Sequence, residues 1–113
     1  MANTFKNKKV DLTSTSATTL YTGPTATTAG IKSILVSEDS GNADTITVTI
    51  TDTDEAVFSL FNVKAISASG TSELLSQPLV AQESEIIKVT AATANRLHVV
   101  LSALEIKKRD VTT

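Results

Sequence analysis

Hydrophobic and polar positions in this chain alternate rather than cycle. The clearest case is Thr45-Ile46-Thr47-Val48-Thr49-Ile50-Thr51, where apolar and hydroxyl side chains change places at every residue. A period of two puts Ile46, Val48 and Ile50 on one face of a β-strand and a ladder of threonines on the other. Upstream, Ile31 to Val36 reads as another strand. Its Ile34-Leu35-Val36 run is apolar on both faces, which predicts a central strand or one covered on both sides. Between the two lies Glu38-Asp39-Ser40-Gly41-Asn42-Ala43-Asp44. Gly41 and Asn42 both tolerate positive φ, so a hairpin-type loop is expected there. Asp52-Thr53-Asp54-Glu55 predicts a second acidic turn.

The segment with Val57, Phe58, Leu60, Phe61, Val63 and Ile66 fits two periods. Positions 57, 60 and 61 match a helical stripe, and 58, 60 and 66 match a strand; short length and strand neighbours favour the strand. Ser67 to Ser72 predicts a turn around Gly70. Glu73 to Ser76 predicts a short strand ended near Pro78, which has no N–H for a ladder. Leu79-Val80 begins a short edge piece, and Gln82 to Glu85 is a polar turn. Ile86 to Ala91 is a strand with Ile87 and Val89 on one face. Ala92 to Asn95 turns the chain, with Asn95 as the natural left-handed residue. Near the start, Phe5 to Leu12 is a charged strand with Val10 and Leu12 on one side, and Ser14 to Ser16 is a turn. Thr18 to Thr22 is a short strand with either Leu20, or Thr19 and Tyr21, inward. Thr25 to Gly30 is expected to be a polar loop after Gly23-Pro24.

The last strand runs from Arg96 to about Ile106. Leu97, Val99 and Leu101 share one face, and Val100, Leu104 and Ile106 share the other. Either the chain's own loops cover that second face, or it docks onto another subunit; an antiparallel sandwich ordinarily leaves one face of each sheet in water. About eight strands, with turns every 8–12 residues, predict a single all-β domain over residues 1–113: an antiparallel, jelly-roll-like β-sandwich. Residues 1–4 and 108–113 are expected to be flexible or partner-contacting tails.

Composition strengthens the β reading, because 19 threonines and 12 serines accompany a large share of valine and isoleucine. Such β-branched residues suit a pleated, half-buried surface. A chain of this length buries roughly two-thirds of its unfolded surface and holds a core without staples, and it has no cysteine to staple with. A net charge of −2 and a pI of about 5.3 argue against nucleic-acid binding, which wants a basic stripe. No apolar run approaches the ~20 residues that span a bilayer. The start, MANTFKNKKVDL, has lysines but no apolar stretch after them, so it does not read as a secretory signal and a cytosolic site of synthesis is expected.

Candidate chemistry is sparse. The lone histidine, His98, lies mid-strand; one histidine without cysteine does not make a zinc site, and no Gly-x-Ser-x-Gly elbow supports a triad. The acidic clusters Glu38, Asp39, Asp44 and Asp52, Asp54, Glu55 carry oxygen ligands of the kind calcium takes; Asp52-Thr53-Asp54 has the alternate spacing of a calcium loop but lacks the glycine and distal glutamate of an EF-hand loop. They read as solvated turns. No phosphate-cradling glycine loop exists, and Phe5, Tyr21, Phe58 and Phe61 are too few rings for a sugar or base platform. Neither a catalytic site, nor a cofactor, nor a metal is expected. Basic residues gather at the two ends, Lys6, Lys8 and Lys9, then Lys107, Lys108 and Arg109, with the acidic turns between them. They read either as solvated tails or as electrostatic contacts that orient one subunit on another.

Three stretches carry a resemblance: ATTLYTG at 17–23, IKSILVSEDSGNADTITVTI at 31–50 and SEIIKVTAATANRLHVVLSALEI at 84–106. Together they resemble small structural proteins of tailed bacteriophages, especially cyanophages and other marine phages. The resemblance implies a non-enzymatic virion component made in the host bacterial cytoplasm. Its partner would be the major capsid protein or another virion protein, with no nucleic acid or membrane partner. A capsid decoration (cement) protein, commonly a trimer, fits the small size best. A neck, tail or fibre-associated module that reads host glycan or protein through loops 25–30, 38–44 and 52–55 is the alternative. A cellular β-sandwich with no virus link is a third. On the decoration reading, Phe5, Val100, Leu104 and Ile106 form the subunit interface.

Overall fold

The computed structural model describes residues 3–107. Nine strands make up the described residues: β1 (Asn3–Asp11), β2 (Thr18–Thr22), β3 (Thr27–Glu38), β4 (Asp44–Thr51), β5 (Val57–Ile66), β6 (Thr71–Glu73), β7 (Leu79–Ala81), β8 (Ile86–Ala91) and β9 (Leu97–Lys107). All pairings are antiparallel and they are nested. β4 pairs with β5, β3 with β6 and β7, β2 with β8, and β1 with β9. The chain is therefore one long hairpin with its tip at the β4–β5 turn. Rolling that hairpin sets β9 beside β3 and β8 beside β4. The result is two facing sheets, β1-β9-β3 with β6 and β7 sharing the edge, and β2-β8-β4-β5. This is the jelly-roll order, with its sixth strand broken into β6 and β7, which is why nine strands stand where about eight are predicted.

The core is the set of inward positions of the alternating strands. Ile31, Ile34 and Val36 of β3, Ile46 and Val48 of β4, Ile87 and Val89 of β8, and Leu97, Val99 and Leu101 of β9 are fully buried in one cluster. Each such side chain stabilises the fold by about 1.5–3 kcal/mol. Two bulges adjust the alternation. In β3 the register slips between Ile31 and Ser33, which keeps both Ile31 and Ile34 inward. In β2 it slips between Thr19 and Tyr21, so Leu20 and Tyr21 are both buried, rather than one or the other. The Thr45–Thr51 ladder faces outward as its period requires, half-buried.

Several local expectations are corrected. The 39–43 segment is not a hairpin, because β3 and β4 belong to different sheets; it crosses between them, with Gly41 at φ 83. Thr27 to Gly30 is the start of β3, not a loop. Asn3 and Thr4 lie in β1, not in a tail, paired with Ile106 and Glu105. The short strand expected at 73–76 is Thr71–Glu73. It stops there because the Glu73 carboxylate turns back on β3. It accepts the N–H of Ile34 at 2.9 Å, the N–H of Leu75 at 3.1 Å and the hydroxyl of Ser33. These donors sit beside the β3 bulge, where the ladder is interrupted. Burial opposes ionisation of Glu73, but these hydrogen bonds outweigh it and hold its pKa below the usual carboxylate value.

The connections sort to two ends of the sandwich. At one, Glu38 clasps two of them: its carboxylate accepts the N–H groups of Ser40 (2.7 Å), Gly41 (3.0 Å) and Ser69 (2.8 Å), and the Ser40 hydroxyl. Burial pushes its pKa up, but the hydrogen bonds win and bring it down to about 2. Asn95 takes φ 65, as expected of it, and donates its N–H to Leu12. At the other end, the Gly23 backbone exchanges hydrogen bonds with the β7–β8 turn, donating to Glu85 (2.8 Å) and accepting from Ser84 (2.9 Å).

Candidate functional site

The outer face of the β1-β9-β3 sheet carries the most distinctive surface, and strand register builds it row by row. Phe5 lies opposite Leu104, Leu104 opposite Gly30, and Gly30 opposite Val80. One row along is Asn3–Ile106–Thr28, and in the other direction Asn7–Ser102–Ser33 and then Lys9–Val100–Leu35. All four side chains expected at a subunit interface thus share this face. Among the described residues no loop closes over it: Phe5 is 80% exposed, Val80 54%, and Leu35 and Ile106 39% each. Val100 and Leu104 are half-buried, flanked in the plane of the sheet by their neighbours. Among the described residues, self-coverage by loops is therefore excluded for Phe5, Ile106, Leu35 and Val80. Sequence reasoning did not single out Leu35 or Val80. The two-faced Ile34-Leu35-Val36 run pointed to Leu35, whereas nothing local placed Val80 beside Gly30.

His98 ends the last row of this face. Its Nε2 lies 3.2 Å from Asp11 Oδ1 and its Nδ1 3.4 Å from Asp39 Oδ2, with all three side chains about half exposed. Both ring nitrogens are thus engaged by carboxylates rather than by a serine. These carboxylate–imidazole contacts join β1, β9 and the β3–β4 crossing and do not set a nucleophile beside its base.

The acidic turns serve the backbone. Asp52 Oδ1 accepts the N–H groups of Asp54 (2.9 Å) and Ala56 (3.0 Å), and Asp44 Oδ2 accepts the N–H of Thr93 (3.1 Å). Among the described residues, no three His, Cys, Asp or Glu side chains gather as a metal site. Of the loops considered for host recognition, 25–30 and 52–55 share one end and 38–44 does not join them. Thr27, Thr28, Thr53, Gln82, Glu83 and Ser84 line a hydroxyl-rich depression of about 330 Å3 at one end, and the 38–44 segment lies at the other, bound to Ser69.

The expected basic contacts divide by parity. Lys9 shares the outer face, beside Val100, whereas Lys6 and Lys8 pair with Ala103 and Leu101, whose side chains face inward. Lys6 and Lys8 are nevertheless exposed. Lys6 and Lys107 line a cleft of about 270 Å3 with Glu105 and Thr27. Glu105 accepts the Tyr21 hydroxyl at 2.5 Å, a link between the two sheets. Burial first, then this bond and the Glu105 charge, raise the Tyr21 pKa well above its ordinary value. Lys108 and Arg109 lie outside the described residues.

No protein-family model matches the chain. No curated protein matches it either. Among solved structures it is similar to a chain from Bacillus endospore appendages, described as a novel family of disulfide-linked pili. The TM-score is 0.54 at 9% identity, over 96% of this chain and 93% of that one. The likeness is one of fold. The present chain has no cysteine with which to form a disulfide.

Proposed function

We propose that this protein is a non-enzymatic structural subunit that adds to the surface of a larger protein assembly, acting as a decoration protein on a bacteriophage head. The observation that carries the reading is the uncovered apolar face formed by Phe5, Leu104, Ile106, Val80, Val100 and Leu35. A sheet of this width presents roughly 500 Å2 of plane, from strand spacing and rise. That is below the ~800 Å2 per partner of a standard stable interface. One contact is therefore modest, and repetition over an array makes it sufficient. A subunit that binds only the assembled shell stabilises it by ordinary linkage. The phage setting rests on the resemblance of residues 17–23, 31–50 and 84–106 to virion proteins. The recognition-module alternative is weakened, because its 38–44 loop sits at the opposite end of the sandwich from the 25–30 and 52–55 segments.

The test is the mass in solution, by light scattering, of the wild type and of Leu104→Asp. A discrete homo-oligomer, a trimer on the decoration reading, is expected to give way to a folded monomer with a cooperative melt. An unfolded Leu104→Asp, or an oligomer it leaves unchanged, overturns the assignment of this face.

A further inference from the structure

A sheet edge, unlike a sheet face, offers backbone hydrogen-bonding groups, and the two sheets here have four edges. Three of them are unsuited to receiving another strand. β2 is five residues long with a bulge, β5 carries two register shifts and a left-handed Val63 (φ 53), and the β6/β7 edge is split in two. Bulges and short lengths of this kind are how sheets blunt their edges. β1 differs. It is nine residues long and pairs with β9 from Asn3 to Asp11 without a shift.

The direction of its free groups follows from one bond. The Leu12 N–H donates to the Leu97 carbonyl at 3.0 Å, in continuation of the β1–β9 register. Hydrogen-bonded positions alternate along an antiparallel pair. Thr4, Lys6, Lys8 and Val10 are therefore bonded to β9, and Phe5, Asn7 and Lys9 direct their N–H and C=O groups to the open side. Among the described residues, no strand pairs with that side.

Charge selects what can lie there. β1 bears Lys6, Lys8 and Lys9 against a single acid, Asp11, already engaged by His98. Lys107 and Lys6 line one cleft, where Glu105 is bound to Tyr21. A second copy pairing β1 on β1 about Asn7 would set Lys6 opposite Lys8, and like charges directly opposed on a ladder are unfavourable. Lysines on an edge discourage such self-pairing, but they complement carboxylates.

We infer that the open edge of β1 receives an extended acidic segment of a partner protein, added as a further antiparallel strand with carboxylates at alternate positions facing Lys6 and Lys8. Backbone bonds to Phe5, Asn7 and Lys9 supply the affinity, and the lysines supply the selectivity. This deepens the assembly reading by naming the chemistry of the partner. It is tested on edge residues that Leu104→Asp leaves in place, so either can fail without the other.

The experiment is amide hydrogen exchange on the full chain with a synthetic eight-residue peptide alternating Glu with Thr, against the same peptide with Lys for Glu. The Glu peptide is expected to slow exchange at Phe5, Asn7 and Lys9, to lose that effect at high salt, and to leave the Lys peptide inert. The double variant Lys6→Glu/Lys8→Glu is expected to exchange the two preferences. Asn7→Pro removes an outward N–H without breaking the β9 ladder. It should remain folded, with the two other amides no longer protected. Equal protection by both peptides, protection unchanged in Asn7→Pro, or no protection at all overturns the inference. So does slowing of these amides with protein concentration alone, which would make the occupant a second copy.

Discussion

Gly23 shows how a single position can be decided by approach rather than by torsion. Its φ is unremarkable, but a Cβ built on it would lie 2.0 Å from the carbonyl oxygen of Gln82, a backbone atom that cannot swing aside. Gly23→Ala must push the β7–β8 turn away and strain the bonds to Ser84 and Glu85. The expected loss is about 1–3 kcal/mol in urea unfolding. Gly30→Ala is the control: the nearest atom to its Cβ is 3.9 Å away. It should fall within about 0.5 kcal/mol of the wild type. Equal losses at the two positions would refute the steric account.

At the scale of the element, strand parity sets the energetics of β9. Leu101 and Leu104 are three residues apart and chemically identical, yet Leu101 is fully buried and Leu104 is on the outer face. Leu101→Ala should cost about 2–5 kcal/mol, as a core cavity does. Leu104→Ala should cost less than about 1 kcal/mol in the isolated protein, measured by the same unfolding curve. The element also carries its own exceptions. The β2 and β3 bulges each slip a strand by one residue, and a one-residue slip exchanges its faces. That is how Leu20 and Tyr21 are both buried, and how a run such as Ile34-Leu35-Val36 follows Ile31 without sending either isoleucine to solvent.

At the scale of the molecule, Glu38 joins two inter-sheet connections, 39–43 and 67–70, and makes the fold sensitive to acid. Its pKa is about 2 in the folded chain against an ordinary 4.5. A depressed carboxyl contributes stability that is fully present above the unfolded value and is lost as pH falls toward the folded one. The difference in stability between the wild type and Glu38→Gln is therefore expected to be greatest above pH 4.5 and to close toward pH 2. Urea unfolding across that range measures it, and a gap that persists at pH 2 would refute the carboxylate clasp. The same scale governs assembly. An apolar face and a basic open edge meet at β1, so one strand offers both shape and charge to a partner.

What the sequence determines by itself is what alternation and turn chemistry encode locally. The Thr45–Thr51 ladder, the Ile86–Ala91 strand, the left-handed Asn95 and the two faces of the last strand are all legible, because each depends on neighbours within a few residues. The common placement of Val100, Leu104 and Ile106 is legible for the same reason, since a strand's parity is fixed by counting. The tertiary structure alone decides which strands lie side by side. The crossing at 39–43 looks like a hairpin because glycine and asparagine serve both connections equally well. That Val80 and Gly30 extend the Phe5–Leu104 row, and that loop 38–44 lies at the opposite end from segments 25–30 and 52–55, both follow from rolling the chain. Pairings between its first and last strands are settled by the burial of one shared core, which no local pattern contains.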